Sequence, residues 1–483
     1  MPVFRMVVLI IVVSLLSAVA VEATDRPLLT APPLGEQWFS ISMGGERTGF
    51  TRTAISAVPE GFEVASDSSA RMVVLGFSRN AWSRETYRVD RDLSMKSFHV
   101  DESIDGKAMT ISGTVTAQGI RVSVTDGGKR REKLLKLHGK IFPGPLLNIY
   151  PLMQRGLANG RKFTPRTFDI EEAKVKDVEI TFIGREKGAE GMEGLHFRND
   201  LYPMVANDIW VQPSGNTIRE SVRDDLIVTA SEKEAAARQE LFAAALAKKP
   251  WLIDYCTVET DRPIKHPEAL KKLTVELSGL SAAMPLLSSI GQKAERRNGE
   301  TALYTMTRVP LPQPDNGAGT VIPAPAERPD RALADPRDRE ALAAHEKEIA
   351  GAVKNPAGKV EKLVRWLAAS VADGGNDSPP LETFRLKKGD VISRVRLYAA
   401  LAEAAGVPTR IVAGLVHSGE KGFRFHVWAE SFVGEWLPVD PCAGQAPADA
   451  ARIKLTDAVS PKEAADLAGL VGHLRAQIIE QVY

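Results

Sequence analysis

Phe425-His426-Val427-Trp428-Ala429-Glu430, followed closely by Glu435-Trp436-Leu437-Pro438-Val439-Asp440-Pro441, is the stretch whose reading decides the fold. Runs of β-forming residues predict strands over 423–433 and 435–439, with another at 410–416. Upstream, a helix is predicted from Val391 to Ala405, starting after Gly389-Asp390 and stopping at Gly406-Val407-Pro408. Two more helices are predicted before it, over 338–353 and 357–372. The second sets Val360, Leu363, Val364, Leu367 and Val371 on one face. Helices first and then an antiparallel sheet make an α+β domain.

Further toward the N-terminus the pattern changes. From Gln37 to Val228, short runs of β-formers alternate with turn residues. Gly44-Gly45 joins Trp38–Met43 to Arg47–Thr53, and Arg121–Thr125 stops at Asp126-Gly127-Gly128; both read as hairpins. Val178–Phe182 alternates as well. An antiparallel all-β region is expected, curved or sandwich-like. Lys129-Arg130-Arg131 reads as a solvated hairpin tip. Ser231 to Lys249 is predicted as a helix opened by a Ser231/Glu234 capping box and ended by Pro250. Strand-like runs return at Leu273–Leu277 and Ala302–Met306, and a proline-loaded linker follows. The expected organisation is a signal segment at 1–23, a β-rich domain at 24–250, a strand-rich segment at 251–310, a linker at 311–337 and the α+β domain at 338–470.

The whole chain has 483 residues, with 62 basic and 61 acidic side chains and 44% hydrophobic residues. That balance argues against a nucleic-acid binder or a polybasic membrane-surface protein. Arg5 precedes an apolar run from Met6 to Val21, and small residues follow at Ala18-Val19-Ala20 and Val21-Glu22-Ala23. This is the shape of a cleaved secretory signal, with an uncleaved N-terminal anchor as the alternative. The mature chain is expected to be exported, periplasmic or extracellular, with no transmembrane segment. The chain has two cysteines, Cys256 and Cys442. They exclude a disulfide-stapled scaffold and a four-cysteine metal site, but could pair with each other in an oxidising compartment.

Several motifs fail. His345-Glu346 lacks the second histidine of a zinc-protease helix, and the eight histidines show no metal-ligand spacing. There is no phosphate-binding loop, no dinucleotide loop and no G-x-S-x-G elbow. No cofactor or metal is expected.

The segments from Gly389-Asp390 through Ala404-Ala405-Gly406-Val407-Pro408-Thr409-Arg410, Ala413-Gly414 and His426-Val427-Trp428-Ala429-Glu430 to Trp436–Pro441 resemble a bacterial transglutaminase-like domain of the papain-like superfamily. Its usual pattern is G-D-C, a helix ending A-G-I-P-A-R, a strand with H-x-W-x-E and a strand ending W-x-x-x-D-P. The resemblance covers roughly residues 355–458. The strand-rich region upstream more weakly resembles the β domains that precede such domains in exported bacterial proteins.

The resemblance implies a Cys-His-Asp triad, in which a thiol at a helix N-terminus is activated by a histidine that an aspartate orients. His426 and Asp440 take the base and orienter positions. The nucleophile position, however, is Val391, which can form no covalent intermediate. Ser393 lies about 200° further round the helix. Cys442 follows Asp440 by two residues, past a proline that ends the strand, and in a dead triad it is expected to point elsewhere. Arg394 could hold an anion or pair with Asp390. Trp428 and Trp436 read as core residues packing the sheet against the helix. The leading expectation is therefore an exported pseudoenzyme that binds an envelope protein, peptide or glycan. The alternative is a peptidase, amidase or acyl transferase with a relocated nucleophile, or a site in which His426 and Asp440 activate water.

Overall fold

A computed structural model of the chain describes residues 26–483, apart from 75–76, 171–172, 188–192, 203–204, 206, 313–337, 375–377, 420–421 and 458–460. The expected signal segment at 1–23 and most of the expected linker at 311–337 lie outside the described residues.

The N-terminal region is built on an antiparallel sheet of fourteen strands, beside a small two-stranded sheet of Arg166–Asp169 and Lys174–Asp177. Strand β1 (Gly35–Met43) and strand β2 (Glu46–Val58) form the first hairpin across Gly44-Gly45, which both take positive φ. The Asp126-Gly127-Gly128 hairpin forms too, with exposed Lys129, Arg130 and Arg131 starting its second arm. The expected all-β class therefore holds, mainly as one continuous sheet. One face buries Val64, Val100, Ile111, Phe182 and Phe197 together with Leu146 and Leu152 from a connecting segment. On the other face, Trp38 and Phe50 join the core of the C-terminal half, with Phe50 edge-on to Tyr255 at 5.3 Å. The two halves thus share a core.

The capping box at Ser231 does not form. Ser231 pairs with Phe39 of β1, and Ile227–Glu232 is the last strand of the sheet to be laid down. A strand ladder satisfies these backbone groups better than a local cap, so helix α1 (Glu234–Leu246) starts later, with no side-chain cap. It also ends before Pro250, at a turn in which Lys248 takes φ +51°.

Beyond α1, strands β3 (Lys272–Ser278), β4 (Gln292–Arg296) and β5 (Thr301–Thr307) form a sheet. Its fourth strand arrives only at the chain's far end, as described below. Helices α2 (Arg339–Ala350), α3 (Pro356–Ser370) and α4 (Val391–Ala404) follow. Asn355 caps α3 by accepting from the Gly358 amide at 2.6 Å. The predicted stripe of α3 is fully buried at Val360, Leu363, Val364 and Leu367. Helix α4 ends before Gly406, whose φ of +79° is the left-handed stop that glycine adopts without strain.

The second sheet carries the site. Its strands are β6 (Thr409–Ser418), β7 (Gly422–Phe432), β8 (Trp436–Val439) and β9 (Arg452–Thr456), with Val258–Glu259 added at the edge of β7. Gly414 sits opposite His426 at an irregularity in the β6–β9 pairing. A Cβ there would lie 2.0 Å from the Ile453 carbonyl oxygen, so only glycine permits this approach. After helix α5 (Pro461–Ala468), strand β10 (Arg475–Val482) returns to pair with β3. Gln292 of β4 joins the two sheets: its amide donates to the Lys454 carbonyl at 2.9 Å and accepts from the Lys454 N–H at 2.7 Å.

Leu363 tests the core assignment. Leu363→Ala should lower the unfolding free energy by about 2–5 kcal/mol. A urea titration showing a loss under about 1 kcal/mol would remove α3 from the core.

Candidate functional site

Helix α4 begins where the sequence places it. Asp390 is its N-cap, accepting from the Ser393 amide at 2.8 Å through Oδ1. Val391 is the first helical residue and is buried. The helix turns Val391, Arg394, Val395 and Tyr398 along one stripe. The Tyr398 hydroxyl, 2.7 Å from the Ser431 hydroxyl, fixes that stripe against β7. Ser393 lies on another face. It is fully buried, and its hydroxyl accepts from the Ser378 amide at 2.9 Å, so it has no access to a substrate.

Asp440 follows β8 and is 1% exposed. Its Oδ2 accepts from His426 Nε2 at 2.9 Å and from Arg452 Nη2 at 2.8 Å. Its Oδ1 accepts from the Cys442 and Ala443 amides at 2.9 and 3.0 Å. Burial alone would raise this carboxyl. The His426 charge and hydrogen bond, with the Arg452 guanidinium, outweigh it and hold Asp440 well below the usual carboxylate range. His426 thus has its orienter. Among the described residues its Nδ1 has no hydrogen-bond partner.

The turn after Asp440 brings Cys442 to the start of α4. Its Sγ lies 3.8 Å from the Val391 carbonyl oxygen, in a weak S–H···O contact. The expectation that Cys442 points away is therefore corrected: the amide bonds to Asp440 curl the turn back against α4. The thiol is not activated there. Burial first, and then the Asp440 carboxylate, push it well above its ordinary range, against the smaller opposing pull of Arg394. Cys256 is buried elsewhere, its thiol pushed up to about 12 by burial, and both cysteines are free.

Three sequence readings need revision. Arg394 makes no ion pair with Asp390, which serves only as the cap. Trp428 lies on the face of β7 opposite Ser431, away from α4, beside Gln292, Met306 and Val309. Trp436 is half-buried at the sheet edge, with the Arg410 guanidinium 4.4 Å from its ring centroid. Two polar partners escaped the sequence reading, Arg452 and the buried pair Lys454–Glu430 at 3.0 Å. Both cations come from β9, which lies within the range of the resemblance but outside the motifs that carry it.

Residues 343–441 match the family model described as the transglutaminase-like superfamily. The chain carries a transglutaminase-like domain. The match begins within α2 and stops just past Asp440, whereas the motif reading began at about residue 355, the cap of α3. No curated protein matches the chain. Among solved structures, the chain is similar to a beta-barrel-like protein of a domain of unknown function from Brucella abortus. That likeness has 10% identity and a TM-score of 0.33, covering 42% of this chain and 97% of that one. It is also similar to a candidate cysteine protease from Cytophaga hutchinsonii, at 15% identity and TM-score 0.26, covering 44% and 91%. A third is a candidate protease from Parabacteroides distasonis, at 8% identity and TM-score 0.20, covering 69% and 63%. Among the described residues, no group of histidine, cysteine and acidic side chains in or around the transglutaminase-like domain could hold a metal ion.

Asp440→Asn should destabilise the protein at pH 7 by about 3 kcal/mol, the low end for a broken buried pair because Arg452 keeps Asp449. A carboxyl depressed by folding stabilises above its unfolded value of about 3.9, and that contribution is lost as pH falls. The gap between wild type and variant should therefore narrow from pH 7 to pH 3 in urea titrations. A gap that widened would contradict the charged Asp440.

Proposed function

We propose that the transglutaminase-like domain is catalytically degenerate and that the protein acts by binding, as an exported component of the bacterial envelope. The observation that carries this is Val391 at the first turn of α4, the position the family gives to its nucleophile. Around it, the base and orienter survive as His426 and Asp440. They hold a hydrogen bond, yet have nothing to deprotonate. Export rests on the segment at 1–23. Among the described residues no helix is long and apolar enough to cross a membrane. The partner classes that fit this reading are an envelope protein, a peptide or a glycan.

A second reading has one observation in its favour: Cys442 reaches the same helix end by another route. Its chemistry weighs against it. The thiolate is the nucleophile, and a thiol held far above its ordinary range supplies almost none at neutral pH. Its Sγ faces the Val391 carbonyl, with no hydrogen bond to His426. Deprotonating it would place a second negative charge beside Asp440.

Purified protein should show no labelling by a thiol-reactive acyl-enzyme probe and no turnover in peptide-hydrolysis and glutamine-donor assays. Labelling at Cys442 that disappears in His426→Ala would overturn the non-catalytic reading. In Val391→Cys/Cys442→Ser, where a new thiol has no partner to oxidise with, labelling is expected to appear. Its failure to do so would mean that more than the nucleophile has been lost.

A further inference from the structure

Seven ionisable side chains with a net charge at neutral pH are buried among the described residues: Asp67, Glu346, Arg394, Glu430, Asp440, Arg452 and Lys454. Six have an oppositely charged partner within 4 Å. Asp67 has Arg52, Glu346 has Lys359, Glu430 and Lys454 have each other, and Asp440 and Arg452 have each other. Arg394, only 6% exposed, has none. Its one hydrogen bond runs from Nη2 to the Cys442 carbonyl at 3.3 Å, and its buried Nε has no acceptor. An unpaired buried charge costs several kcal/mol and is kept only where something compensates it. The six paired groups show how this fold treats buried charge when structure alone is at stake.

The position of Arg394 says what could compensate it. It sits one turn after Val391 on the same stripe of α4, and it holds the turn that carries Cys442. The positive end of the α4 dipole adds to its field. Asp390 occupies the Ser393 amide, but among the described residues the Val391 and Ile392 amides have no acceptor. Asp390, Cys442 and His426 are partly exposed, so solvent reaches the edge of the cluster. A guanidinium presents a planar fork that matches a carboxylate. A dianion fits worse, because the carboxylates of Asp390, Asp440 and Asp373 nearby repel a second negative charge.

We propose that Arg394 and the first turn of α4 form a receptor for a carboxylate, and that its occupant is the C-terminal carboxylate of a peptide. This rests on the binding role proposed above and names its ligand class. A peptide carboxylate is the product of the hydrolysis that a cysteine in place of Val391 would catalyse. The site would have kept affinity for the product end of a peptide while losing the chemistry. Arg394 supplies the charge, beside the turn after Asp440 whose Cys442 carbonyl it already holds.

The test compares fluorescein-labelled tetra-alanine bearing a free C-terminal carboxylate with the same peptide as its C-terminal amide, by fluorescence anisotropy on the full-length protein. The acid is expected to bind at least tenfold more tightly than the amide, a difference of about 1.4 kcal/mol. Arg394→Gln should abolish that preference, and Arg394→Lys should restore part of it. Removing an unpaired buried charge should leave the thermal midpoint unchanged or higher, so lost binding will not reflect unfolding. Equal binding of acid and amide overturns the proposal, as does no binding of either at millimolar protein, or an acid preference that survives in Arg394→Gln. Mass spectrometry of the same samples keeps the two readings separate. Cleavage of either peptide would overturn the non-catalytic role, while the acid-to-amide ratio alone decides the carboxylate receptor.

Discussion

A single buried carboxylate organises the site. Asp440 accepts four hydrogen bonds, two from side chains on different strands and two from the amides of its own following turn. Each fixes a different part of the architecture. The bond from His426 holds the imidazole on β7, and the bond from Arg452 ties in β9. The two amide bonds fold the chain back so that Cys442 meets Val391. Without the charge on Asp440, Arg452 would keep only Asp449, and the turn against α4 would lose its anchor. The aspartate thus has structural work that does not depend on any reaction at the site.

The second constraint is the space at the start of α4. A nucleophile there must be reachable, but Val391 is buried and the Cys442 side chain lies against its carbonyl. β-branched Val391 occupies a first-turn position, where the helix does not yet constrain it from the preceding turn.

Much of the fold was legible because its signals are local. The stripe on α3, the Gly406 stop and the two glycine hairpins each depend on a few neighbouring residues, and each forms as expected. The errors arise where distant chain decides. Ser231 has the composition of a cap, but its backbone is claimed by Phe39 of β1. Trp428 looks like core on either face of β7, and only the packing of β4 and β5 shows which. At the candidate site, motif order singles out Val391, His426 and Asp440, and the last two meet in a hydrogen bond. Arg452 could not, since nothing in its surroundings announces a partner twelve residues back. The alternation of Arg452 and Lys454 along a strand was the available signal. Two cations on one face of a buried strand require carboxylates opposite them.

The pairing of β10 with β3 has a topological consequence. Everything from Gly279 to Leu474, β4, β5 and the transglutaminase-like domain included, lies in the chain between two adjacent strands of one sheet. Closing so long a loop is entropically costly, though the cost grows only slowly with length. As the chain emerges during synthesis, β3 can pair with β5 at once but must wait for β10 until the intervening domain is complete. One edge of β3 thus stays open until everything from Gly279 to Leu474 has been made. Unpaired strand edges of this kind are where wrong partners attach.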